Sequence, residues 1–219
     1  MEHHYTFLHE LTKLNKKLLK MTAMVEERVR KAAKVIESKD PAVIQSIILA
    51  DYEVDDMEIE IEEDCLKILA LHQPVARDLR FLIAVIKINN EMERIADIAV
   101  NIAKRVDNIA KFKHQAAVSY DFSKMSEKVL AMLKKSIDSL VNSDARLARS
   151  IFVDDDIVDQ CRNRCYEDIK TRITKDPEHP GYHINTYLLA RHLERIADRA
   201  VNIAEEVIYS VEGTITRHN

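Results

Sequence analysis

Two glycines in 219 residues leave this chain little with which to fold a backbone loop around a phosphate group. No P-loop, Gly-rich dinucleotide turn or nucleophile elbow is present, since each needs glycines at fixed offsets. Only four prolines interrupt the chain, so few and long elements are expected. Tryptophan is absent and aromatic residues make up 5%, a poor supply for base-stacking surfaces. A formal net charge of -4 points the same way, and no nucleic-acid partner is expected. Three cysteines, an odd number, build no disulfide framework and suit a reducing cytoplasm. The longest apolar run, 81–86, is far below a membrane span. The N-terminal residues lack a basic stretch followed by an apolar one, so no secretory signal is expected.

What the chain does have is a repeat. Glu93 to Ala103 returns as Glu194 to Ala204, 101 positions later, with ten of eleven residues unchanged; the single difference is Ile98 against Arg199. An earlier stretch repeats at an offset of 104: Ser38, Lys39 and Asp40 match Asn142, Ser143 and Asp144. Asp51, Val54, Asp55 and Ile61 likewise match Asp155, Val158, Asp159 and Cys165. The molecule is therefore two copies of one unit, expected as domains 1–112 and 113–219. Helix punctuation divides each copy further. Asp40 before Pro41 is an N-cap followed by proline at the first helical position. Gln73 and Pro74 separate two helices, Asp121 and Asp144 are caps, 177–181 is a breaker cluster, and Gly213 is a C-terminal stop. The helices expected are 5–38, 41–72, 75–111, 122–142, 145–174 and 182–211. The fold class is all-α: two tandem, internally duplicated three-helix bundles, six helices in all.

The repeated segment carries acids four residues apart, Glu93 with Asp97 and Glu194 with Asp198. On a helix that spacing stacks two carboxylates on one face, roughly 6 Å apart along the axis. Their repulsion costs a few tenths of a kcal/mol, and a cost met twice points to a cation that both serve. Met92, Ile95, Ala99, Ile102 and Val106 form the apolar seam, as do Leu193, Ile196, Ala200 and Ile203, so the acids face away from their own core. Asp51 with Asp55, and Asp155 with Asp159, repeat the spacing on the preceding helix and are expected helpers. Most of the run 51–64, nine acids in fourteen residues, reads as a solvated acidic exterior. An oxygen-only donor set suits Mg, Mn, Ca or Fe better than copper. Arg191, Arg195 and Arg199 stand within reach of Glu194 and Asp198. The first copy, with only Arg94 nearby and Glu91 as a further acid, is the better site. Cys161 and Cys165 match Met57 and Ile61, so they read as core residues. His179 and His183 are interrupted by Pro180 and Gly181, and no Glu-x-x-His occurs, which weighs against ferritin-like di-iron chemistry. No enzymatic activity is expected, because a di-metal oxidase or hydrolase needs inward-facing ligands.

Leu71 to Arg80, with its Gln73-Pro74 and Asp78-Leu79-Arg80, together with the twin Glu-Arg-Ile-Ala-Asp elements at 93–97 and 194–198, resembles the PhoU family. That resemblance covers nearly the whole chain. It implies paired three-helix bundles, often dimeric, in accessory and regulatory proteins of bacterial phosphate-specific transport. It implies metal ions, Fe, Mg, Mn or Zn, at Glu93, Asp97, Glu194 and Asp198, with Asp51, Asp55, Asp155 and Asp159 as helpers. It also implies partners, the phosphate-import ATPase and a membrane sensor histidine kinase, for a cytoplasmic protein peripheral to the inner membrane face. The role implied is negative regulation of the phosphate-starvation response; the alternative is a metal-free helical adaptor in the same pathway. Ala96 and Ala197 stand where the family often has Gly, and Ile98 and Arg199 where it often has His.

Overall fold

The computed structural model describes residues 2–50, 52–112 and 120–218, with side chains described from residue 5 onward. Those residues form seven helical segments and no strand: α1 (Glu2–Ser38), α2 (Pro41–Leu49), α3 (Tyr52–His72), α4 (Ala76–Ala110), α5 (Ser123–Asn142), α6 (Ala145–Lys175) and α7 (Pro180–Glu212). α2 and α3 together fill the place that α6 fills in the second copy, so the six-helix plan holds with one helix interrupted. The expected continuous helix 41–72 ends at Ala50, whose carbonyl accepts from the Arg28 guanidinium on α1. The buried arginine shares that acceptor with the Glu53 N–H, a 3.3 Å turn bond in place of the continuing ladder.

The caps fall where the polar residues put them. Asp40 accepts from the Ala42 N–H at 2.9 Å, and Asp144 from the N–H groups of Arg146 and Leu147 at 2.9 and 3.0 Å. Asp121 accepts from the Ser123 N–H at 2.9 Å. The breaker cluster stops at His179, because Pro180 takes the first position of α7 and Gly181 lies in its first turn. Gly213, with φ 76°, ends α7 in the left-handed conformation. With so few glycines, Lys39, Gln73, Ala76 and Ser143 also adopt positive φ at helix ends. Lys39 and Ser143 are repeat equivalents and share φ 51°.

α1, α2/α3 and α4 pack as one three-helix unit, and α5, α6 and α7 as the other. The most extensive packing of all joins α4 to α7 across the two units, and α1 also meets α5. Lys87 reaches Glu206, Glu91 reaches Arg199 and Arg105 reaches Asn185, so α4 and α7 run antiparallel. One apolar core therefore runs through both units without a break. It explains why α4 is buried well beyond its expected seam. Ala96, Ile98, Val100 and Ala103 are all within 2% of full burial.

Candidate metal centre

In the first unit α4 carries Glu93 and Asp97 toward α3, which presents Asp55 and Glu58. The two helices are locked by buried Asn89, whose amide donates to the Glu58 carbonyl at 2.8 Å. Burial is the largest influence holding the Glu93 carboxyl above its ordinary range, and the charges of Asp97, Asp55 and Glu58 add to it. Glu58 is raised for the same reasons, burial first, then Glu62 and Asp55. No ion pair to Glu93, Asp97, Asp55 or Glu58 exists among the described residues. Asp51 lies outside the described residues. Glu91 does not join this group: it is buried on the other side of α4, paired with Arg94 at 3.4 Å and Arg199 at 3.2 Å.

In the second unit Asp155, Asp159, Glu194 and Asp198 likewise bear on one another electrostatically, yet they are answered differently. Asp155 is pushed up to about 6 by burial, with Asp198 and Asp159 adding to the shift and His218 opposing it. Asp198 and Glu194 are also raised, again chiefly by burial. Here, however, Arg162 lies 3.0 Å from Glu194 and 3.4 Å from Asp159, and Arg191 lies 2.8 Å from Glu194. Of the three arginines expected near these acids, Arg191 alone makes the ion pair. Arg199 crosses to Glu91, and Arg195 is exposed. The chain end also closes on this face: Glu205 accepts from Arg217 at 2.8 Å and from the His218 N–H at 2.6 Å. That seats the His218 ring flat on Phe152, centroids 4.8 Å apart, and 3.9 Å from Asp155.

Arg162 was legible through the repeat. At the offset of 104 it replaces Glu58, and at 101 Arg191 replaces Asn90. The second copy has thus exchanged one acid and one amide for two guanidinium groups. His218 carried no signal, since only the folded tail brings it to Asp155. Among the described residues no group of three acid, His or Cys side chains is placed to hold a metal ion. The donor chemistry of the first face still fits a hydrated divalent ion, which keeps several waters and needs only one or two carboxylates.

The other candidates are structural. Cys161 and Cys165 are buried and unpaired, and burial pushes the Cys165 thiol up to about 12. His179 and His183 both hold Asp176, at 2.8 and 3.1 Å.

A family model for the PhoU domain matches residues 18–106 and again 122–207, the two helical units described above. This chain belongs to the PhoU family. A curated relative from Aquifex aeolicus, named a phosphate-specific transport system accessory protein PhoU homolog, is 34% identical over 95% of this chain and 94% of its own length. The homolog from Clostridium acetobutylicum is 32% identical over 94% of each. The crystal structure of PhoU from Pseudomonas aeruginosa superposes with a TM-score of 0.90 at 33% identity, covering 95% of this chain and all of that one. That of the phosphate transport system regulatory protein PhoU from Streptococcus pneumoniae gives 0.87 at 29% identity, covering 96% and 99%. The PhoU family is one of accessory and regulatory proteins, not of enzymes.

Proposed function

We propose that this PhoU-family chain is a cytoplasmic regulator of phosphate uptake, a negative regulator of the phosphate-starvation response that couples a phosphate-import ATPase to a membrane sensor kinase. The names of its relatives support the transport role. Among the described residues no helix is long and apolar enough to cross a membrane, so contact with such partners runs through its surface. The cation reading is supported by one contrast. Between α3 and α4 the charges of Asp97, Asp55 and Glu58 bear on Glu93, with no ion pair to any of the four among the described residues, while on the equivalent face arginine pairs with Glu194 and Asp159. A divalent ion on the first face removes the repulsion that opposes close packing of α3 on α4. That fixes the surface offered to transporter and kinase, as a homodimer or otherwise. The second face, where arginine pairs with Glu194 and Asp159, serves chiefly as scaffold.

Titrating chelator-stripped protein with Mg2+ or Mn2+ is expected to raise the melting temperature saturably. Glu93→Ala with Asp97→Ala abolishes the rise, and Glu194→Gln preserves it. Pull-down of the import ATPase and the kinase is expected to strengthen with the ion. No thermal response, together with metal-free protein by elemental analysis, reduces the chain to an ion-free helical adaptor. An equal response lost in Glu194→Gln moves the site to the second face.

A further inference from the structure

The α4–α7 seam is charged differently at its two ends. Seven-residue spacing puts Glu91, Ile98 and Arg105 on one stripe of α4, facing His192, Arg199 and Glu206 on α7. By the repeat offset of 101 these are equivalent residues, so Arg105 stands where the other copy has Glu206, and His192 where it has Glu91. At the start of α4 the charges cancel: Lys87 lies 3.0 Å from Glu206, and Arg199 lies 3.2 Å from Glu91. At its far end Arg105 and His192 stand in place of those acids, and no carboxylate pairs with either among the described residues.

Arg105 there meets a neutral partner. One Nη donates to the Asn185 side-chain oxygen at 2.7 Å, and the Asn185 amide is itself held by the Gly181 carbonyl at 2.6 Å. No carboxylate contacts Arg105 among the described residues, and its buried Nε has no acceptor. Both ring nitrogens of His192 are buried and unpartnered as well, and the charges of Arg105, Arg195 and Arg191 all bear on that ring. Beside Arg105 lies a shallow, open cleft of about 440 Å³ lined by Arg105, Asn108, Lys111, Phe112 and Asn185. Arg105, Asn108 and Lys111 follow one another at three-residue intervals, so their donors line one face of the last turns of α4. Asp107 is the acid at this rim, engaging Lys111 at 2.6 Å.

We propose that this cleft binds a phosphate-type oxyanion. Arg105 supplies the fork of N–H donors that fits two oxygens of one anion, oriented in advance by Asn185. Lys111 supplies a movable charge, and the Asn108 amide a neutral donor. The anion supplies a charged partner for the guanidinium, which the neutral Asn185 does not. The inference is independent of the cation reading, which concerns Glu93 and Asp97, two or more turns earlier on α4 and against α3.

The full chain, kept in chelator at constant ionic strength, is titrated with inorganic phosphate by calorimetry and separately mixed with phosphatidylglycerol vesicles in a flotation assay. Saturable binding of inorganic phosphate identifies a soluble anion; flotation without it identifies a lipid headgroup; either supports the site. Arg105→Gln is expected to weaken binding at least tenfold, Arg105→Lys less, and Lys111→Gln a few-fold. Lys124→Gln on α5 leaves it unchanged. Melting temperatures check each variant's fold, and if Arg105→Gln does not fold, Lys111→Gln combined with Asn108→Ala decides. Absence of saturable binding in both assays, or binding indifferent to these substitutions, overturns the proposal.

Discussion

Asp155 shows how much an acid gives up when it is folded against its own kind. Its carboxyl titrates at about 6 in the native chain against an ordinary 3.8, burial being the main cause. The native state therefore holds a proton more tightly than the unfolded state between those values, and stability falls as pH rises through that window. Above about pH 6 the ionised group destabilises the fold by roughly 1 kcal/mol, after discounting for the water that reaches it. Asp155→Asn in chelator is expected to raise the melting temperature at about pH 8. The gain should shrink to nothing below about pH 4; a gain independent of pH rules out this origin. At this scale the sequence carried the acid pairs, because four-residue spacing is a local property; it missed the burial of Glu194 against Arg162 of α6. It did not carry the partner of Arg199. Spacing along α7 put that guanidinium near Asp198, and its charge does oppose the rise of that carboxyl, but the acid it pairs with is Glu91 on α4, the helix lying across it. The one difference within the eleven-residue repeat is thus a contact between copies.

At the level of helices, the chain's want of glycine has a measurable cost. Lys39 and Ser143 close α1 and α5 in the left-handed region, where a side chain costs roughly 1–2 kcal/mol relative to the right-handed one. Ser143→Gly is expected to stabilise the protein by up to about 1 kcal/mol, read from the urea midpoint. Asp144→Ala, one residue on, removes the acceptor of two N–H groups at the start of α6 and is expected to cost about 1 kcal/mol. Opposite signs at adjacent positions separate backbone strain from capping. Asp40, Pro41, Asp144 and Gly213 marked their helix ends in the sequence because each acts on its own turn. The break after Leu49 left no such mark. No proline or glycine stands there, and its visible partner is Arg28, 22 residues away on another helix.

Across the whole molecule the decisive surface is the one between copies. α4 and α7 bury apolar side chains against each other over most of their length, so the two units share a core. Ile98, only 2% exposed, lies on the α4 stripe that faces α7. Ile98→Ala is expected to cost about 2–5 kcal/mol. It should lower a single melting transition, since the division at 112 and 113 crosses a continuous core; two separated transitions in calorimetry contradict that expectation. The duplication was plain in the sequence. The extent of this packing was not, because small residues such as Ala96, Ala103, Ala197 and Ala204 gave no sign of how wide a face they let two helices bury.

Carrying both copies on one polypeptide changes the physics of that seam. Two separate three-helix chains would meet only above their dissociation constant, whereas the twelve residues between α4 and α5 keep each face in the other's presence at an effective concentration on the order of millimolar. Closure is then independent of dilution. Each face was also released from matching its own image, so a glutamate could acquire an arginine opposite it while its twin became a histidine.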